Sequence, residues 1–115
     1  MNIIIIKTLI AVEELAEMAK DQFGDWIKVV VDIEKGIMAV GGDLHADEEA
    51  VLLENGYNQK NLWGANIWFY KDGDERIQFD SMINIRPAQG NRSRSIESQD
   101  IQEKVAKIIN DFIVW

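Results

Sequence analysis

The chain has no cysteine, one histidine and one proline among 115 residues. Without cysteine there is neither a disulfide framework nor a thiolate metal site, and a reducing cytoplasm is the simplest setting expected for it. A lone histidine makes a poor zinc set, and the carboxylates lack the spacing of a calcium-binding loop, so no metal is expected. Long apolar runs are also missing. The longest, residues 3–6 among them, fall far short of a bilayer span, and no basic segment precedes residues 3–6 as in a secretory leader, so no membrane association is expected. Positive charge is scarce too: 12 basic against 20 acidic residues leave a net charge of -8. Such a field repels a phosphate backbone, which argues against nonspecific nucleic-acid binding.

What is present fits one globular domain over residues 1–115, with 47% hydrophobic and 28% charged residues. Residues 2–7 form a β-branched run without alternation, as in a strand covered on both faces. Thr8 offers a helix cap, and Val12, Leu15, Ala16, Ala19 and Phe23 then fall on one helical stripe that Gly24 ends. Residues 26–33 alternate, with Ile27, Val29, Val31 and Ile33 on one side and Trp26, Lys28, Val30 and Asp32 on the other. A turn at 34–36 leads into a second strand at 37–41, a hairpin with glycine at its bend.

Asp47 reads as the cap of a short helix over 47–55, with acidic residues favourably placed in its first turn and Gly56 as terminator. A polar loop at 57–64 leads into a strand at 65–70, with Ala65 and Ile67 inward and Asn66, Trp68 and Tyr70 outward. Asp72-Gly73 signals an antiparallel return. Residues 77–86 alternate as one long strand, with Ile77, Phe79, Ser81, Ile83 and Ile85 inward. From Ser98 a final helix carries Ile101, Val105, Ile108, Ile109 and Phe112 on one stripe. The expected fold is α+β: a five-stranded mixed, mostly antiparallel sheet, two long helices on one face and one short helix, in the order β-α-β-β-α-β-β-α.

Three constellations could carry chemistry. Residues 87–97 make a long connection between a strand and a helix, where about 2 to 6 residues are usual. Three of the four arginines, Arg86, Arg92 and Arg94, lie at or within it. Guanidinium forks hold carboxylates or phosphates in pairs, and the free N–H groups at a helix start favour anions, so Arg86, Asn91, Arg92, Arg94 and Asn84 are the candidate ligand-binding set for a small anion. No phosphate-loop or dinucleotide fingerprint is present and no cofactor is implied. The competing reading is that these arginines neutralise the chain's own acids, or grip the acidic stretch 43–54 of a second copy in a homodimer or of another partner.

The second constellation is Gly41-Gly42 followed by Asp43, His45 and Asp47. His45 with Asp47 could act as general base and orienting acid, and the alternative is a plain acidic helix start. Third, Trp26, Trp68 and Tyr70 share the outer face, where they stack a planar ligand or shelter beneath residues 57–63. Trp115 either anchors the last helix or meets a second subunit.

Gly41-Gly42-x-Leu44-His45-Ala46-Asp47, Leu62-Trp63-Gly64 and Ile85-Arg86-Pro87-x-Gln89-Gly90-Asn91-Arg92-Ser93-Arg94 together resemble a family of small prokaryotic proteins catalogued as a domain of unknown function. The resemblance spans nearly the whole chain. It implies no activity, substrate or cofactor, but it joins 41–47 and 86–94 into one pattern.

Overall fold

The computed structural model describes residues 2–115. Its centre is the hairpin of β3 (Trp26–Asp32) and β4 (Ile37–Val40), preceded by a short strand β1 (Ile4–Ile6). β-branched residues favour the pleated geometry, and the turn is closed by Asp32, whose Oδ1 accepts from the backbone N–H groups of Glu34 (2.9 Å) and Lys35 (2.8 Å). Gly36 takes φ 68°, a conformation that costs glycine little. β1 adds to β4, and on the other side β5 (Leu62–Trp68) pairs with β3 over its whole length. A short β6 (Ile77–Gln78) closes the far edge, giving the order β1-β4-β3-β5-β6.

Every pairing in this sheet is antiparallel, so the expectation of a mixed sheet is corrected. The parallel component lies apart, where β2 (Ile10–Ala11) pairs with β7 (Ile113–Val114). Two-residue strands show no periodicity, so neither could be read from the sequence. Together they tie the start of α1 (Val12–Ala19) to the end of α3 (Gln99–Phe112). Pairing by residues 10–11 also explains why Thr8 is not the cap of α1, whose preceding residue is Ala11.

The alternation of β3 sorts side chains into two cores. Ile27, Val29 and Val31 pack with Leu15 and Ala19 of α1 and with Val105 and Ile109 of α3. Val30 faces the opposite way, toward Leu52 of α2 (His45–Glu54), in a smaller cluster with Ile37, Ala39 and Leu62. The helices therefore cover both faces of the sheet. Their expected lengths are corrected as well, because α1 has 8 residues and α2 has 10. Phe23 leaves the α1 stripe to stack on Trp26, their ring centroids 4.2 Å apart.

The largest departure is at residues 77–86. Only Ile77 and Gln78 join the sheet; Asp80 bridges to Ser95, a 3-10 turn covers Met82–Asn84, and Arg86 bridges to Asn91. Side chains make the bend. Ser81 Oγ accepts from Ile83 N, and the buried Asn84 amide accepts from Gly64 N (2.8 Å) while donating to Gly64 O (3.0 Å). The turn reverses the expected facing, leaving Asn84 fully buried and Ile85 40% exposed. α3 begins as expected, with Ser98 Oγ accepting from Ile101 N at 3.3 Å. Among the described residues no helix is long and apolar enough to cross a membrane.

Candidate functional site

The arginine-bearing loop is built around Asn91. Its Nδ2 donates to the carbonyl oxygens of Asn84 (2.7 Å), Ser93 (2.9 Å) and Ser95 (2.9 Å), and its Oδ1 accepts from Glu97 N at 2.8 Å. Asn84 contributes a further bond to Arg94 O, at 3.0 Å. Both amides thus spend their polar atoms on the chain itself. The loop does hold an anion, and that anion is Glu97, whose Oε2 accepts from Arg92 N (2.7 Å), Ser93 N (2.9 Å) and Ser93 Oγ (3.0 Å). The Arg92 and Ser93 donors hold the Glu97 carboxyl below the usual range.

The arginines diverge from there. Arg86 turns to α2, where it meets Glu49 at 3.1 Å, donates to Gln59 O at 2.8 Å and lies over the Trp63 ring. Its side chain is only 11% exposed and that of Glu49 14%, so the acidic stretch and the arginine loop clasp each other within one chain. Arg94 forks onto Asp80, with Nε to Oδ1 at 3.0 Å and Nη2 to Oδ2 at 3.2 Å. Arg92 stays exposed.

Arg94 and His45 do meet, in a groove of about 430 Å³ on the α2 face of the sheet. Lys28 of β3, Asn66 of β5, Gln78, Asp80, Arg94 and His45 supply its polar lining, while Trp26, Leu44, Met82 and Ile83 supply the apolar part. Asp47, Asn84, Arg86, Asn91 and Arg92 do not line it. Lys28 and Asn66 are direct cross-strand partners, so their side chains rise from the sheet side by side. Among the described residues the Lys28 ammonium has no carboxylate within ion-pair distance; its neighbours are the rings of Phe23 (5.0 Å) and Trp26 (5.4 Å).

His45 opens α2 and is buried. Its Nε2 lies 2.8 Å from Ala65 O, and because a carbonyl only accepts, the ring proton sits on Nε2 and Nδ1 keeps its lone pair. Burial lowers the His45 pKa to about 4, assisted by Lys28 and opposed by the Ala65 carbonyl, Asn66 and Asp80. The imidazole is therefore neutral at neutral pH and a weak base there. Asp47 sits in the first turn of α2 rather than at its cap, which is Leu44, and the hydrogen bonds of the His45 ring do not involve it.

Lys28, Asn66, Gln78 and Asp80 belong to none of the sequence motifs. The available signal was a polar residue interrupting each of two apolar strands, at Lys28 in β3 and Asn66 in β5. The diglycine has a packing role instead. Glu48, fully buried, accepts from Gly42 N at 3.0 Å, and a side chain at Gly42 would collide with it. Burial pushes the Glu48 carboxyl well above its ordinary pKa. The aromatic residues serve one another: Trp26 stacks between Phe23 and Trp68, with the Trp68 centroid 5.5 Å away, and Lys71 covers Trp68. Tyr70 stays exposed. Trp115 is anchored on its own chain, by Asn110 Oδ1 at 3.2 Å and the Arg76 guanidinium over its ring.

Together these features define a small α+β domain, an antiparallel sheet with helices on both faces and an open polar groove on one of them. The chain belongs to the family described as protein of unknown function (DUF5674), whose model matches residues 4–112. That membership bears out the motif resemblance. No curated protein and no solved structure matches the chain.

Proposed function

We propose that this domain binds a small anionic ligand in the groove between α2, the outer face of β3 and β5, and residues 80–83. The observation that carries the reading is Lys28, a cation with no carboxylate within ion-pair distance among the described residues, standing in a concave site lined by further polar groups. Arg94 is the member of the arginine set at this site, and its charge is shared with Asp80. A volume of about 430 Å³ lies within the roughly 300 to 1,000 Å³ of ordinary small-molecule pockets. Leu44, Met82 and Trp26 supply apolar area, and Lys28 sets the sign of the charge accepted.

The test is a thermal-shift screen of phosphate, mono- and dicarboxylates and nucleotides at millimolar concentration, run in parallel on the parent and on Lys28→Met, which keeps the aliphatic stem. At least one anion should raise the melting temperature of the parent, the rise should shrink with added salt, and Lys28→Met should lose it. Arg92→Ala should retain it. Absence of any stabilising anion, or an undiminished response in Lys28→Met, would overturn the assignment.

A further inference from the structure

The groove carries an acceptor that the protein leaves unused. Asn66 is 5% exposed, lines the cavity, and its Oδ1 has no hydrogen-bond partner among the described residues. Rotating the amide does not help, because Nδ2 already donates to Gln78 Oε1 (3.1 Å) and to Asp80 O (3.3 Å), two positions where an oxygen would be repelled. The neighbouring His45 ring approaches the same amide and would donate to it only when protonated, which burial disfavours. Its one proton is engaged by Ala65 O, and the nitrogen that remains is itself an acceptor. Leaving a buried acceptor unpaired is destabilising, and functional sites are where such a group persists in a folded protein.

Accepting the groove as an anion site, we infer that its ligand is not a bare anion but a small hydroxy acid or amino acid: a carboxylate or phosphate whose neighbouring carbon bears a hydroxyl or amine. The anionic group meets Lys28 and the adjoining O–H or N–H donates to Asn66 Oδ1. The spacing follows from the register. Lys28 and Asn66 face each other across β3 and β5, and directly opposed residues of an antiparallel pair have Cα atoms only about 4.5 to 5.5 Å apart. Charge and acceptor thus arise from neighbouring positions of one wall, within reach of two groups of one small molecule. His45, whose Nδ1 keeps its lone pair, belongs to the same lining.

Matched pairs that differ only in the donor test this on the unmodified protein. Malate and succinate, lactate and propionate, and alanine and propionate are titrated by calorimetry or by amide shift perturbation in nitrogen-15 spectra. The donor-bearing member of at least one pair should bind at least tenfold more tightly, since a site built around a buried polar group rejects the analogue that cannot satisfy it. Lys28→Met should weaken both members of that pair alike. Equal affinity within every pair overturns the inference while leaving the anion site standing. Failure of all members to bind overturns the inference, and the anion site falls with it only when no anion of the thermal-shift screen stabilises the parent.

Discussion

Asn91 offers the sharpest test of how the loop is held. Alanine at this position removes an amide whose two hydrogens serve three carbonyl oxygens, at 2.7, 2.9 and 2.9 Å, and whose oxygen receives Glu97 N at 2.8 Å. Two donated bonds and one accepted bond, at about 1 kcal/mol net each, amount to about 3 kcal/mol. The Asn84 carbonyl is buried and water cannot replace the lost donor there, whereas Ser93 and Ser95 are exposed and recover part of theirs. For a chain of this size the loss corresponds to a fall in melting temperature of roughly 10 °C. Urea unfolding followed by fluorescence of the buried Trp63 measures it, with the slope against denaturant expected to stay constant. Asn91→Asp is the informative companion. It keeps the acceptor for Glu97 N but turns the donor end toward three carbonyl oxygens as a carboxylate oxygen, so it should be at least as destabilising as alanine. If Asn91→Ala stays within about 0.5 kcal/mol of the parent, the range of an ordinary surface change, the account of Asn91 as the hub of the loop is wrong.

Arg86 and Arg94 should behave differently although both meet an acid. Arg86→Ala strands Glu49 in a nearly buried position and should cost about 3 kcal/mol, with Arg86→Lys recovering only part, whereas loss of the exposed Arg94 from the half-buried Asp80 in Arg94→Ala should cost less than about 1 kcal/mol. Denaturant unfolding of the three variants decides it. The two buried titratable groups bias stability in opposite directions. His45 has a folded pKa of about 4 against an ordinary 6.5, so the unfolded chain binds its proton first and stability falls by at most roughly 3 kcal/mol as pH drops between those values. The raised Glu48 carboxyl acts in reverse, since the folded chain holds its proton longer and stability declines as pH rises above 4.5 toward the folded value. Glu48→Gln should remove that decline, and a proton spectrum of the His45 ring should show no titration between pH 5.5 and 8; a midpoint near 6.5 would refute the burial argument.

Local chemistry already specified the β3 and β4 hairpin, the inward facing of Ala65 and Ile67, the antiparallel return after Asp72-Gly73 and the final helix from Ser98, because strand alternation, turn residues and a hydroxyl cap act over a few positions of the chain. Residues 77–86 kept an alternating pattern yet only Ile77 and Gln78 form a strand. The competing partners of Ser81 and Asn84 are backbone groups, and the decisive one for Asn84, Gly64, lies 20 residues away. The same limit applies to the site. Arginine density marked a loop that closes on its own glutamate, whereas Lys28 and Asn66, 38 positions apart in sequence, carry no pattern in common. Sequence alone therefore determined the family, the principal hairpin and the capped last helix, all of which rest on short-range regularities. Which charges remain unpaired, and which of them share a hollow, depended on the pairing of β3 with β5 and the docking of α2, since the availability of a polar group is settled by every neighbour that folding brings to it.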